Sequence, residues 1–235
     1  MMYDSNVISS GTGFVAKGAS GKWYLITNRH NLTGRRQDDN SPLSPTGAIP
    51  NRIRIFHSWT GGIGLWRAHE EELLAGGKPA WREHPVLGAK ADFVALPLTD
   101  LDEVALYPYD PLHPGPDIKV GPAEAVSVVG FPLGKTAGGF FGIWATGFVA
   151  SEPEIDYLDL PVMLVDCRSR PGQSGSPVIA HRSAGSQVAM ENGDSVVFNG
   201  NAVRFLGIYS GRIHADSDIG MVWKASSIAQ LLKAL

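Results

Sequence analysis

Glycine and proline recur at short intervals along this chain, and this spacing limits how long any regular element can be. The 28 glycines and 16 prolines leave only short segments between them, and those segments are rich in Val, Ile, Phe, Trp and Tyr. β-Branched and aromatic residues favour strands, and turn residues placed between short runs of them are typical of all-β proteins. The sequence therefore predicts many short antiparallel strands.

The predicted strands fall into two series. The first series contains Val7–Lys17, Lys22–Asn28, Arg52–His57, Gly64–His69 and Asp92–Pro97, and the second contains Ala125–Phe131, Phe141–Ala150, Met163–Cys167, Ser176–His181, Arg204–Ser210 and Gly220–Lys224. Groups of five or six strands fit two small antiparallel barrels. The Pro-rich segment 107–122 lies between the series and predicts a linker, so that residues 1–106 and 123–235 form the two barrels.

One segment has a helical pattern, and two others have the composition of loops. Apolar residues recur at helical spacing in Ser226–Leu235, where Ser226 or Ser227 can cap a short C-terminal helix. The segments Ser41–Asn51 and Arg182–Asn201 are rich in turn-forming and polar residues and predict surface loops.

Composition excludes several classes of partner. The net charge is −3, with 43% apolar and 18% charged residues, and no basic run is interleaved with aromatics. Neither nucleic acid nor an anionic membrane is expected to bind such a surface.

The single cysteine, Cys167, cannot form an internal disulfide, and the first ten residues lack the pattern of a signal peptide. Both observations predict a cytoplasmic location.

The segment Pro171–Val178 carries the sharpest chemical signal. Its sequence, Pro-Gly-Gln-Ser-Gly-Ser-Pro-Val, sets Ser174 between glycines in a tight turn. In such a turn the amides of Gly172 and Ser174 can both point at one spot and form an oxyanion hole. A surface turn rich in Ser and Gly can have the same sequence, so the rest of the chain must decide between a surface turn and a catalytic turn.

Two further segments supply the partners that a serine nucleophile needs. A serine hydroxyl reacts only when a base takes its proton, and the apolar run Trp23–Thr27 is followed by His30. Asp92 begins the apolar run Asp92–Leu96, where a carboxylate can orient an imidazole. The other six histidines follow less apolar runs, which singles out His30 as the candidate base.

Together these segments resemble the trypsin-like serine proteases. The closest likeness is to the disulfide-free bacterial branch that includes the high-temperature-requirement proteases. The resemblance spans nearly the whole chain in the family's order, through the blocks Gly11–Val15, Leu25–His30, Ala91–Leu96, Val128–Gly134, Pro171–Val178, Leu206–Gly211 and Gly220–Trp223. It implies two antiparallel six-stranded β-barrels of the chymotrypsin-like fold, an active site between them and a closing C-terminal α-helix.

The resemblance also implies the role of each site residue. Ser174 is the nucleophile, His30 the general base and acid, and Asp92 the residue that orients the imidazole, while the amides of Gly172 and Ser174 hold the oxyanion. No metal or organic cofactor is implied. The expected partners are a protein or peptide substrate and, if activity is regulated, a further protein.

By the same alignment, Arg168 stands at the floor of the pocket for the side chain before the scissile bond. Tyr209, Ser210, Gly211, Arg212 and Gly220 form its walls. An inward guanidinium favours cleavage after Asp or Glu through a charge-assisted pair. Alternatively, Arg168 turns outward and pairs with a nearby carboxylate such as Asp166, and the pocket is then shallow and apolar.

Two residues depart from the family pattern, and one of two alternative functions remains open. Gln173 replaces the aspartate that receives a new N-terminus in trypsin, and Ser176 replaces the usual glycine, which we expect to leave the geometry intact. A trypsin-like domain without turnover, serving as a scaffold, has the same fold. An α/β-hydrolase is excluded, because its nucleophile elbow needs Gly-x-Ser-x-Gly between a strand and a helix.

Overall fold

The computed structural model describes all 235 residues, 1–235, and is built almost entirely of strands. The elements of the first half are β1 Met2–Tyr3, β2 Asn6–Val7, β3 Gly13–Lys17, β4 Trp23–Thr27, α1 Arg29–Thr33, β5 Arg52–Trp59, β6 Trp66–Glu72, β7 Leu74–Ala75, β8 Lys78–Pro79, β9 Val94–Pro97 and β10 Val104–Ala105. Those of the second half are β11 Ala125–Gly130, β12 Ile143–Val149, β13 Val162–Asp166, β14 Pro177–Arg182, β15 Gln187–Ala189, β16 Ser195–Val197, β17 Ala202–Arg212, β18 Ile219–Lys224 and α2 Ala225–Lys233.

The second half forms the closed six-stranded barrel that the sequence predicts. Its antiparallel strands follow the order β11-β12-β13-β18-β17-β14, and β14 returns to pair with β11. Alternate side chains of these strands point inward. They build a buried core that includes Val128, Val165, Val178 and Val222.

The first half differs from the barrel predicted for residues 1–106, because its strands do not close into one ring. Strands β3, β4 and β9 form one sheet, and β10, β5, β1, β2 and β6 form another. Strands β1, β2 and β10 are only two residues long, so they offer few backbone groups for pairing on two edges. The all-β fold is confirmed, and only its second barrel is closed by hydrogen bonds.

Local differences from the predicted elements have simple causes. The helix α1, which the sequence analysis missed, is five residues long and lacks room for a helical pattern. The predicted loop Arg182–Asn201 contains the hairpin β15–β16, whose strands of three residues are too short to be recognised by alternation. Neither of the two helices has the length or apolar character that crossing a bilayer requires.

The largest buried core lies between the two halves. It joins Phe14, Tyr24 and Phe93 of the first half to Phe205 and Trp223 of the second. Helix α2 contributes its apolar face, Ile228, Leu231 and Leu232, to the same core. The segment 107–122 crosses beside it, where the amide of Tyr109 donates to the carbonyl of Val15 at 3.0 Å. This shared core holds together the two sets of loops that form the site.

Candidate active site

His30 lies in the first turn of helix α1, immediately after the buried strand β4. Asn28, the residue before the helix, is fully buried and donates its side-chain amide to the carbonyl of Asp92. Gly34 ends the helix at φ +65°, where it donates its amide to the carbonyl of His30 at 3.0 Å. The imidazole is therefore carried on a short segment that is fixed at both ends.

Asp92 is almost fully buried, with 3% of its surface exposed, and its carboxylate accepts three hydrogen bonds. One oxygen accepts the backbone amide of His30 at 3.1 Å. The other lies 2.7 Å from Nδ1 of the same imidazole and accepts the hydroxyl of Ser210. An ionised carboxylate accepts and does not donate, so Nδ1 carries the proton and Nε2 is left as the free basic nitrogen.

A β-bulge brings Ser210 to this carboxylate. The register between β17 and β18 shifts between Tyr209 and Gly211, so that Ser210 is the extra residue. Bulges re-aim side chains, often beside active sites. The hydroxyl of Ser210 consequently joins the second half to Asp92 of the first.

Ser174 lies opposite His30 in the turn Pro171–Ser176, which we call the nucleophile loop. Its carbonyl accepts the backbone amide of Thr12 at 3.0 Å and the side-chain amide of Asn31 at 3.1 Å. Its hydroxyl donates to the carbonyl of Ser210 at 3.3 Å and makes no hydrogen bond with His30. The backbone of the serine is thus held in place, while its side chain has only one weak contact.

The amides of Gly172 and Ser174 donate to no acceptor within the protein. Gly172 has a φ of +95°, which favours glycine, and an added Cβ there would lie 2.5 Å from the carbonyl oxygen of Phe131. Thr12 stabilises the loop by donating its hydroxyl to the carbonyl of Gly172 at 2.8 Å. Two free amides on a fixed loop beside a serine hydroxyl can bind an oxyanion.

Gln173 and Ser176, the two departures from the family pattern, are both fully buried. The side-chain oxygen of Gln173 accepts the amide of Arg170 at 2.8 Å, while its nitrogen has no partner. The hydroxyl of Ser176 fits against Gly130, where an added Cβ would lie 2.0 Å away. The serine is therefore accommodated because the facing strand has a glycine.

Arg168, predicted at the pocket floor, has an exposed side chain and forms no ion pair. Successive side chains of extended backbone point to opposite faces, and here Cys167 and Ser169 are the buried ones. The guanidinium is therefore not positioned to bind an acidic side chain in a buried pocket.

Tyr209 occupies the space between the predicted pocket walls. Its hydroxyl hydrogen-bonds with Ser169, and burial raises its pKa to about 12. The ring lies against Gly220, where an added Cβ would be 2.3 Å from it. Gly211 is partly exposed, and Arg212 points into solvent. The pocket for the side chain before the scissile bond is consequently shallow.

Three residues at the site were not predicted as functional, namely Thr12, Asn28 and Asn31. Each is a buried polar residue that joins His30, Asp92 or the nucleophile loop. Thr12 stands between two glycines in the block Gly11–Val15, Asn28 lies two residues before His30, and Asn31 follows His30 directly. Those positions indicate tight backbone contacts, but which segments they touch depends on the fold.

No cluster of three or more His, Cys, Asp or Glu side chains is arranged to hold a metal ion.

Comparison with known proteins finds one family. The family described as the trypsin-like peptidase domain matches residues 11–190 of the chain. No curated protein sequence matches the chain.

Several solved structures are distantly similar. The inactive form of the Rv3671c protease of M. tuberculosis is 19% identical over 94% of this chain and 82% of its own, with a TM-score of 0.46. The serine endoprotease from Yersinia pestis is 16% identical over 94% of this chain and 55% of its own, with a TM-score of 0.48.

Proposed function

The chain belongs to the family of trypsin-like serine peptidases, and we propose that it is an endopeptidase that forms an acyl-enzyme on Ser174. The observation that supports this most is the contact between the buried Asp92 and the partly buried His30, with 2.7 Å between Oδ2 and Nδ1. That contact leaves Nε2 free to take a proton, and Ser174 is the hydroxyl-bearing residue across the cleft.

The proposed reaction follows the chemistry of the family. Rotation of the Ser174 side chain away from Ser210 brings Oγ to Nε2 of His30, which takes its proton as Oγ attacks the carbonyl carbon. The developing oxyanion accepts the amides of Gly172 and Ser174. Protonated His30, stabilised by Asp92, then gives the proton to the leaving amine. Water, activated by the same imidazole, releases the acyl group from Ser174.

The proposed preference before the scissile bond is for small side chains. Tyr209 fills the space between Ser169 and Gly220, and Arg168 lies in solvent. Small residues such as Ala and Ser fit a shallow pocket, whereas a large side chain would have to displace the ring. This replaces the acidic preference that the sequence suggested.

A second candidate function is a trypsin-like domain that binds proteins without cleaving them, or that cleaves only when a partner switches it on. The hydrogen bond from the Ser174 hydroxyl to Ser210 favours it, because the serine is not poised on His30. Hydroxyl rotation is a fast side-chain movement, however, and catalytic hydrogen bonds are often long or unaligned without substrate.

The test combines a fluorophosphonate label with peptide cleavage. Ser174→Ala should abolish labelling and lower turnover by about 10⁶-fold, and Asp92→Asn should lower it by about 10⁴-fold, with both variants folded. Asp110→Asn is the matched control, because Asp110 contacts His113 at 3.0 Å on the exposed surface. An unlabelled parent protein that cleaves no peptide in a library supports the binding function instead.

A further inference from the structure

The two sides of the nucleophile loop differ in the space that they offer a substrate. On the side of Tyr209 and Gly220, the pocket is filled by the tyrosine ring. On the opposite side, beyond Gly172, lies a cleft of about 300 Å³ between the first half and the loop 131–142. We call it the apolar cleft, since half of its lining residues are hydrophobic.

The floor and the rim of the apolar cleft are both apolar. Its floor is formed by Met2, Leu25 and Ile53, which are 2%, 5% and 7% exposed. Its rim carries Val7 and Phe140, which are 70% and 37% exposed. The large exposed hydrophobic area next to a concave floor is the kind of surface that binds an apolar group.

The apolar cleft shares a wall with the nucleophile loop. Thr12, Phe131 and Gly134 line the cleft. The same residues surround Gly172. The Thr12 hydroxyl donates to the Gly172 carbonyl at 2.8 Å. A Cβ added to Gly172 would lie 2.5 Å from the carbonyl oxygen of Phe131 and 3.2 Å from the backbone nitrogen of Gly134. A peptide whose carbonyl oxygen is bound by the Gly172 amide therefore has the apolar cleft within reach of its next side chains.

The direction of the peptide determines which side chains those are. The strand end Tyr209–Arg212 faces the residues before the scissile bond under the proposed function. A bound peptide extends in two directions from the carbonyl held in the oxyanion hole. The apolar cleft lies on the other side of Gly172 from that strand. It therefore faces the residues that follow the scissile bond.

The rim of the apolar cleft is held in place by aromatic stacking. Phe140 of the loop 131–142 stacks on Phe56 of β5 with ring centroids 4.1 Å apart and planes 8° apart. Trp66 of β6 packs its ring against the edges of Phe140 and Phe141. The loop is thus attached to the first half, and its aromatic contacts fix the rim of the cleft.

The two cationic groups that line the apolar cleft already have partners within the protein. Arg54 is the one charged side chain in its lining. Its guanidinium is already paired with Glu70, with nitrogen–oxygen distances of 2.6 and 2.8 Å. The other cationic group of the lining, the α-ammonium of Met1, donates to the carbonyl of Ser9 at 2.8 Å. Burial of apolar surface is therefore the main attraction that the cleft supplies.

We propose that the apolar cleft binds a large apolar side chain, such as Leu, Phe or Met, at the first or second position after the scissile bond. This inference rests on the proposed function and adds the substrate class to it. The peptidase selects its substrates chiefly on the leaving side, because the pocket on the other side accepts only small side chains.

The test uses two peptides that are identical through an alanine before the scissile bond and carry either Leu-Phe or Ser-Asn after it. We expect kcat/KM for the apolar peptide to exceed that for the polar one by about ten- to a hundredfold, as burial of one or two such side chains implies. Mass spectrometry of the products identifies the cleaved bond.

Two valine variants localise the effect. Val7→Asp puts a carboxylate at the rim and should reduce the ratio of the two kcat/KM values about tenfold. Val86→Asp is the matched control, since Val86 is 73% exposed and lies outside the cleft, and it should keep the parent ratio. A ratio near one in the parent protein, or equal ratios in both variants, overturns the inference.

The proposed function is checked separately by fluorophosphonate labelling of Ser174. A labelled protein with no preference after the bond disproves the apolar cleft as a substrate site and leaves the proposed function standing. If Ser174 is not labelled, the proposed function fails, and binding of the two peptides to Ser174→Ala by calorimetry decides the inference. Tighter binding of the Leu-Phe peptide supports it, and equal binding overturns it.

Discussion

At the scale of single residues, the site depends on buried polar side chains that find partners across the two halves. Asp92 accepts from His30 of its own half and from Ser210 of the other. Charged hydrogen bonds are stronger than neutral ones, and an unpaired buried carboxylate is costly. The position of Asp92 is therefore set by the packing of the two halves together.

Specificity before the scissile bond is a prediction at the residue scale. Tyr209→Ala removes the ring between Ser169 and Gly220, so cleavage after large apolar residues such as Leu should increase at least about tenfold relative to Ala. Arg168→Ala, which alters an exposed side chain, should leave the preference as it is. A peptide library read by mass spectrometry compares the variants.

Tyr209→Phe serves as the control for that prediction. It keeps the ring and loses only the hydrogen bond to Ser169, so the preference for small residues should persist. Removal of a large buried side chain costs about 3–5 kcal/mol, and circular dichroism checks that the alanine variant is folded. If Arg168→Ala changes the preference before the scissile bond and Tyr209→Ala does not, the guanidinium reaches the pocket. The proposal that Tyr209 fills the pocket is then wrong.

At the scale of elements, the nucleophile loop is shaped by its contacts with two neighbouring segments. The amide of Leu133 donates to the carbonyl of Pro171 at 2.6 Å, and Thr12 bonds to both Gly172 and Ser174. Gly172 has no room for a side chain between these segments. The free amides of the loop therefore depend on a backbone that only glycine allows.

Gly172→Ala should lower turnover by about 10²–10³-fold, the effect of losing one oxyanion donor. The new Cβ meets the carbonyl of Phe131 and forces the Gly172 amide to move. Gly185→Ala is the matched control, because Gly185 has a φ of +76° with no atom within 4 Å of an added Cβ. Steady-state kinetics on one peptide substrate compare the two, and similar rates in both contradict the assigned role.

At the scale of the whole molecule, the two halves are joined by their largest core. The core contains residues of both halves and the apolar face of helix α2, so neither half buries its apolar surface alone. The molecule is therefore expected to unfold in one step. The cytoplasmic location that the single cysteine suggests stays a prediction.

Leu232→Ala tests whether the halves unfold together. Leu232 is fully buried in the shared core, and its truncation should lower the free energy of unfolding by about 2–5 kcal/mol. Urea unfolding followed by tryptophan fluorescence and by circular dichroism should shift as one transition. Lys233→Ala, on the exposed face of the same helix, should change stability by less than about 0.5 kcal/mol. Two separated transitions would contradict a common core.

Stability is also expected to fall in mild acid because of His57. Burial lowers its pKa to about 4 from the ordinary 6.5, with the neighbouring His69 adding to the effect and Asp100 opposing it. Between these values the unfolded chain binds a proton that the folded protein does not, so stability present above pH 6.5 is lost as the pH falls toward 4. The loss from this group is at most about 3 kcal/mol.

His57→Gln isolates that contribution. The variant lacks the titrating ring, so its free energy of unfolding should decrease less than that of the parent between pH 7 and pH 4.5. Urea titrations at the two pH values measure both differences. Identical decreases in the two proteins would show that His57 is protonated with equal ease in the folded and unfolded states.

The sequence alone determined the fold class and singled out the residues of the candidate site. Short runs of β-branched and aromatic residues between Gly and Pro predicted the strands of the closed second barrel, because strand preference and turn chemistry are local properties of the chain. The Gly-Gln-Ser-Gly turn, the histidine after β4 and the aspartate before β9 were recognisable, because each lies in a short motif.

Tertiary structure alone decided how that chemistry is arranged and what space surrounds it. Ser210 reaches Asp92 through a bulge, Tyr209 fills the pocket, and Arg168 points outward. The apolar cleft joins residues 1–13, 53–56 and 131–140, which are distant in sequence. Contacts between remote segments depend on how strands pack and on which face each side chain takes. A shift of one residue in register reverses that face, so the pairing of the strands decides where each side chain lies.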